Sequence, residues 1–159
     1  MTQHHAPLLA RRPRRSRLWL ALVLPLGLAC GAKAQIRTDS SLGLAPQTLV
    51  GPAYVIPQSI GRLAGNNLFH SFETFTILGG QSANFTVSTS NLANVISRVT
   101  GGTSSAINGQ LKLSADSGTP NVVLGTPNFF FINPAGVTFG AGASIDVPGA
   151  FHEIGRAHV

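Results

Sequence analysis

Short runs in which apolar and polar residues alternate dominate the middle of the chain. Phe75 and Ile77 alternate with threonines, and Phe85 and Val87 alternate with Asn, Thr and Ser. A period of two predicts β-strands, because successive side chains of a strand point to opposite faces. Gly, Asn, Pro or Ser follows each run, and no helical period persists between residues 50 and 150. The pattern predicts an all-β body of short strands joined by tight corners.

Two apolar runs lack this alternation, residues 122–124 and 129–132. Continuous apolar runs predict strands that are buried on both faces. Ile-Asn pairs recur at 107–108 and 132–133, which are 25 positions apart, about one coil of a solenoid. A sandwich, a barrel and a parallel β-helix all produce this pattern, and the pattern alone leaves the three open.

Residues 133–147 contain a turn, a short strand, a second turn and a second strand. Asn133, Pro134, Ala135 and Gly136 predict a type I β-turn. In such a turn the first side chain bonds nearby backbone, Pro pre-sets φ at the second position, and Gly is favoured at the fourth. We therefore expect a structural corner here, with apolar residues repeating on one face of the strands that follow.

This stretch resembles the N-terminal secretion domain of filamentous-haemagglutinin-type exoproteins, the exported partners of two-partner secretion systems. That family carries Asn-Pro-Asn-Gly, and Ala135 departs from its third position. Residues 67–75 and 95–102 resemble two further stretches of the family, in the family's order. Together the three cover most of residues 50–152. The motif residues in the earlier stretch are Asn67, Phe69, His70 and Phe72.

The resemblance implies a right-handed parallel β-helix with an N-terminal cap, spanning residues 35–152. It also implies a secretion-targeting and folding module of a large exported adhesin- or haemagglutinin-like protein, with Asn133, Pro134 and Gly136 as its secretion motif. The implied partner is an outer-membrane β-barrel transporter with periplasmic transport-associated domains. The implied location is the bacterial cell surface or the medium, reached through the periplasm. The alternative is a β-solenoid that binds or cleaves carbohydrate, which an even row of exposed aromatics or clustered carboxylates would favour.

Residues 1–34 have the layout of a secretory signal peptide. An arginine-rich segment at 11–17 precedes an apolar segment at 18–30, and Ala32-Lys33-Ala34 predicts cleavage between Ala34 and Gln35. This implies passage through the inner-membrane secretion machinery. Two alternatives are a membrane anchor and a lipoprotein modified at Cys30, where Gly27 fits poorly. Cleavage removes Cys30, the only cysteine, so we expect no disulfide in the exported chain.

The net charge of +6 first suggests a nucleic-acid partner. Six of the eleven Lys and Arg residues precede residue 35, and the remaining five are matched by five Asp and Glu residues. The body is therefore neutral and has no basic stripe to follow phosphates, which argues against nucleic-acid binding.

We find no pattern that indicates a catalytic, metal or cofactor site. His70 and His152 are far apart in the body, and neither a nucleophile elbow nor a phosphate-binding loop occurs. We expect His70 to be structural, with Glu73 as a possible partner. Residues 153–159 back-translate to GAG ATC GGA AGA GCA CAC GTC, which reads like a library adapter. We expect this heptad to be a non-native tail without strand character, and the chain to be a fragment.

Overall fold

The computed structural model describes residues 1–2 and 35–155. The architecture below is that of the unit that contains residues 35–155. The predicted signal peptide lies almost wholly outside the described residues. The described residues contain no α-helix, and therefore no helix that could cross a membrane.

Twelve strands and one 3-10 turn form the described body, which confirms the all-β prediction. The 3-10 turn covers Gln58–Ile60, between the second and third strands. The strands are β1 (Ile36–Thr38), β2 (Ala53–Pro57), β3 (Arg62–Ala64), β4 (Asn67–Phe75), β5 (Ser82–Val87), β6 (Asn94–Val99), β7 (Ser105–Ile107), β8 (Gln110–Ala115), β9 (Asn128–Asn133), β10 (Val137–Phe139), β11 (Ser144–Asp146) and β12 (Phe151–Gly155).

The strands form three sheets. The first has the order β1-β4-β6-β9-β12, with β3 also on β4; the second has the order β11-β8-β5-β2; the third is β10-β7. Only β1 and β3 pair antiparallel, and both pair with β4. All other pairs are parallel and join residues 22 to 34 positions apart. From β6 to β12 the chain visits the first, third and second sheets in that order, twice, before it returns to the first.

The core lies between the sheets and is rich in phenylalanine. Strands β5 and β9 alternate between half-buried and buried residues, as the two-residue period predicts. Ring centroids of Phe85 and Phe129 are 4.8 Å apart, and those of Phe75 and Phe131 are 4.9 Å apart, both edge to face. Each fully buried Phe contributes about 1.5–3 kcal/mol by leaving water, so these contacts between neighbouring chain segments account for much of the fold's stability.

Three expectations about apolar segments are corrected. Residues 129–132 are buried on one face only, since Phe130 and Ile132 remain half-exposed. Residues 122–124 form no strand, and Val123 is 61% exposed. The 25-residue recurrence does not mark a coil, because Ile107 pairs with Phe139, 32 positions on.

Three segments contain strands that the alternation of apolar and polar residues does not reveal. Residues 35–51 supply β1, whose Ile36 is fully buried, and residues 61–67 contain β3. Residues 153–155 continue β12, beside the end of β9. The expectation of no strand character in that tail is therefore wrong for these three residues, while the proposed domain boundaries stay predictions.

Candidate functional site: the Asn133 corner and the first sheet

The predicted corner after β9 has the hydrogen bonds of a tight turn. The backbone N–H of Gly136 donates to the carbonyl oxygen of Asn133 at 2.9 Å, and the N–H of Ala135 donates to Asn133 Oδ1 at 2.9 Å. Gly136 has φ of +105°, a conformation that disfavours any residue with a side chain. The sequence-based prediction of a corner with an Asn side chain bonded to backbone is confirmed.

Asn133 also ties the corner to the preceding segment of chain. Its side chain is 1% exposed, and Nδ2 donates to the carbonyl oxygen of Thr103 at 3.0 Å and to Ser105 Oγ at 2.9 Å. The N–H of Ser105 donates to the carbonyl oxygen of Gly136 at 3.0 Å. The corner therefore fixes the start of β10 against β7, a function that the local turn pattern did not reveal.

Two shallow grooves meet at Pro134, whose ring is exposed on the turn. The first has a volume of about 360 Å³ and runs along the ends of β6 and β9, past Arg98 and Thr100. The second has a volume of about 370 Å³ and is lined by Ile132, Pro134, Ile154 and Gly155. Open, largely apolar grooves beside strand ends suit an extended peptide better than a small metabolite, which needs an enclosing pocket.

The family-motif residues of β4 point to two different faces. His70 and Phe72 enter the core, where both contact Phe85 edge to face. Phe69 lies on the opposite, outer face and lines a third groove of about 290 Å³, together with Ile96 and Ile132. Phe69 and Phe72 therefore do not form one aromatic patch, because strand alternation places them on opposite faces of the sheet.

His70 occupies a site that favours the neutral ring. The side chain is 1% exposed, Nε2 lies 3.4 Å from the carbonyl oxygen of Pro57, and Nδ1 has no hydrogen-bond partner among the described residues. Burial lowers the pKa of His70 to about 4, which the Pro57 contact opposes only in part. Glu73 is not its partner, since that carboxylate pairs with the Arg37 guanidinium. His70 is thus part of the core.

A polar cluster around Asp39 was missed by sequence reasoning. Asp39 accepts hydrogen bonds from the backbone N–H of Ser41 at 2.9 Å and from the hydroxyls of Ser41 (2.6 Å), Ser71 (2.7 Å) and Thr100 (2.6 Å). Burial raises the pKa of Asp39, but the hydrogen bonds outweigh burial and lower the pKa to about 2. The cluster connects the segment that follows β1 with β4 and with the end of β6 by hydrogen bonds. In the sequence, only the local Asp39-Ser40-Ser41 turn pattern indicates it.

The predicted cleavage position is described on one side only, because Ala34 lies outside the described residues. Gln35 is held by the body: its carbonyl oxygen accepts from the N–H of Thr76 at 2.8 Å, and its Oε1 accepts from the Tyr54 hydroxyl at 2.5 Å. Among residues 1–2 and 35–155, no three His, Cys, Asp or Glu side chains are grouped to hold a metal ion.

Parallel strands follow one another through three sheets in turn, and the Asn133 turn is hydrogen-bonded to the preceding segment of chain. These features define the class of protein as an all-β protein built of stacked parallel strands. The chain belongs to the TPS secretion domain family, which matches residues 34–153. No curated protein and no solved structure matches it. The body is thus a two-partner secretion-targeting module of a secreted exoprotein. The family consists of targeting modules and is not a known enzymatic family. Membership implies an outer-membrane transporter as the partner.

Proposed function

We propose that this chain is the secretion-targeting and folding module of a large exported adhesin- or haemagglutinin-like protein. We propose further that its three sheets are the walls of a right-handed parallel β-helix. The repeated visit to the three sheets supports the β-helix architecture. Its right-handedness is supported by the general rule that crossover connections between parallel strands are right-handed in nearly all proteins. The antiparallel strands β1 and β3 would then be the N-terminal cap.

The partner is an outer-membrane β-barrel transporter whose periplasmic transport-associated domains capture the chain. The observation that carries this proposal is the Asn133 corner, which orders the next segment of chain and borders, at Pro134, the open groove along the ends of β6 and β9. An extended segment of the transporter has apolar side chains to contact there, in the manner of strand addition.

The route begins with the signal peptide, residues 1–34, at the inner-membrane secretion machinery. Cleavage between Ala34 and Gln35 releases the body into the periplasm, and the transporter delivers it to the cell surface or the medium. The hydrogen bonds of Gln35 to Tyr54 and Thr76 support a chain start at this position, since they place it at the edge of the folded body.

The carbohydrate alternative has weaker support. The outer face of the first sheet does carry Phe69, Ile96, Phe130 and His152 in one register row. However, Ile96 interrupts the aromatic row, and Phe130 stacks on His152 with centroids 4.5 Å apart, so one face of each ring is already occupied. Sugar-binding platforms need free aromatic faces, and carbohydrate cleavage needs paired carboxylates.

The test is secretion of corner variants by cells that carry the cognate transporter. Asn133→Ala removes three hydrogen bonds, one of them to the buried Ser105 hydroxyl, at a cost of about 1–3 kcal/mol, and Gly136→Val is strained at positive φ. We expect both to reduce extracellular protein severalfold relative to periplasmic protein. Gly79→Val, at an open turn with ordinary φ, is the matched control.

A further variant separates recognition from folding. Pro134→Arg places a long charged side chain where the two grooves meet and leaves the Asn133 hydrogen bonds in place. We expect an unchanged β-type circular dichroism spectrum with reduced capture by purified transporter. Wild-type secretion of Asn133→Ala, Gly136→Val and Pro134→Arg alike would show that the corner has no part in targeting.

A further inference from the structure

Three asparagines lie side by side at the start of neighbouring strands in the first sheet. Asn67 of β4 pairs with Asn94 of β6, which pairs with Asn128 of β9. Asn94 Nδ2 donates to Asn67 Oδ1 at 2.7 Å, and Asn128 Nδ2 donates to Asn94 Oδ1 at 3.3 Å. The backbone N–H of Ala150, next to β12, donates to Asn128 Oδ1 at 3.2 Å. We call Asn67, Asn94 and Asn128 the amide ladder.

The contact from Ala150 determines the direction of the whole ladder. A backbone N–H only donates, so the atom of Asn128 that faces it is the oxygen, and the Nδ2 group of Asn128 turns toward Asn94. Asn94 in turn presents its oxygen to Asn128 and its Nδ2 group to Asn67. Each amide therefore accepts from a later segment of the chain and donates to an earlier one.

The ladder marks register where sequence spacing does not. Asn67 and Asn94 are 27 residues apart, whereas Asn94 and Asn128 are 34 apart. Because the connections differ in length, counting residues cannot select the correct pairing. A slip of one residue would turn the buried Val95 and Phe129 toward solvent, because side chains alternate along a strand.

The first member of the ladder lies where the sheet is easiest to begin. β3 and β4 form a hairpin whose two strands are joined by residues 65–66, and Asn67 Nδ2 makes a long contact of 3.5 Å with the carbonyl oxygen of Ala64 in that hairpin. A two-residue loop carries the smallest entropy cost of closure in this sheet. Once it forms, the oxygen of Asn67 is available to the next segment.

We propose that the amide ladder is a one-way register key, which directs the stacking of chain segments from the β3–β4 hairpin toward β12. Asn94 and Asn128 are its positioning residues, and each new segment docks by donating to an oxygen already in place. This inference rests on the proposed function, since a chain that emerges progressively from a transporter needs each segment to find its register on the part already folded.

The direction predicts an asymmetry among aspartate variants, because Asp at neutral pH accepts hydrogen bonds but cannot donate. Asn67→Asp keeps the oxygen that Asn94 needs, so we expect the unfolding equilibrium constant of the full chain at pH 7 to rise less than about threefold. Asn94→Asp and Asn128→Asp each lose their donor, and we expect a rise of about tenfold or more. Asn67→Ala removes the acceptor, so we expect it to raise the unfolding equilibrium constant more than Asn67→Asp does. The control Asn66→Asp adds the same charge one residue earlier, at an exposed position.

The order of folding is measured by pulsed hydrogen exchange during refolding of the purified full chain. In the Asn94→Asp variant we expect the backbone amides of β4 to become protected from exchange at the normal rate. We expect protection of the β6 and β9 amides to be delayed. Equal effects of Asp at positions 67 and 94, or Asn67→Asp as harmful as Asn67→Ala, would overturn the direction. Simultaneous delay of β4, β6 and β9 would overturn the order. No transporter is present in these measurements, so failure of the secretion test leaves their outcome unaffected.

Discussion

His70 predicts that the module loses stability in mild acid. In the folded chain burial lowers the pKa of this ring to about 4, whereas in the unfolded chain it stays near its usual 6.5. Above pH 6.5 both states hold a neutral ring and the group has no effect. As pH falls from 6.5 to 4, the unfolded state takes up the proton first, so the free energy of unfolding decreases.

The magnitude follows from the width of that window. Each pH unit corresponds to about 1.4 kcal/mol, so between pH 7 and pH 4.5 the free energy of unfolding should fall by about 2–3 kcal/mol through His70 alone. His70→Leu has similar volume and no titrating group. It loses the contact with the Pro57 carbonyl oxygen, which we expect to cost about 1 kcal/mol at pH 7. The decisive quantity is therefore the pH dependence and not the stability at one pH.

The assay is urea unfolding, followed by circular dichroism, at half-unit steps between pH 7 and pH 4.5. We expect the wild-type curve to fall across this range and the His70→Leu curve to be flatter by about 2–3 kcal/mol. His152→Gln is the control for the loss of a histidine, because His152 is an exposed ring on the outer face of the first sheet and the change leaves His70 in place. Parallel curves for the wild type and His70→Leu would refute the burial argument.

Three further predictions concern packing and the polar cluster. Phe131→Ala should lower the free energy of unfolding by about 3–5 kcal/mol in urea titrations, and Phe130→Ala, on the half-exposed face, by less than half of that. Asp39→Ala should make the free energy of unfolding depend less on pH between about pH 4 and pH 2 in urea titrations. The reason is that the low pKa of the Asp39 carboxyl adds stability, which is lost as the carboxylate is protonated. Gly101→Ala should cost about 1–3 kcal/mol in thermal unfolding, because its Cβ would collide with a backbone carbonyl of β4, whereas Gly79→Ala meets nothing and should be neutral.

The sequence predicted those parts of the fold that depend on neighbours in the chain. Alternation placed Phe75, Ile77 and Phe85 in the core, and all three are at most 1% exposed. The hydrogen bonds of the Asn133 corner follow from residues within three positions of one another, so turn rules sufficed.

The remainder depends on partners far along the chain. β1 has three residues and too little pattern to reveal a strand, and it exists because it pairs with β4, about 36 positions away. The hydrogen bond between Asp39 and Thr100 joins residues 61 positions apart. Residues 122–124 show the opposite case: their composition suits a strand, but no neighbouring strand pairs with them in the described body. Val123 stays exposed, and Leu124 is only partly buried against the core.

The contact between Tyr54 and Gln35 gives the exported protein an optical reporter of its own. The sequence contains one tyrosine and one tryptophan, and Trp19 belongs to the segment that we propose is removed. Within residues 35–159 Tyr54 is then the only fluorophore besides phenylalanine, so its emission in the isolated module is free of energy transfer to tryptophan. Its hydroxyl is bonded to the first residue of the processed chain and its ring is 5% exposed. Tyrosine emission would then report whether the new amino terminus is docked, without any label attached.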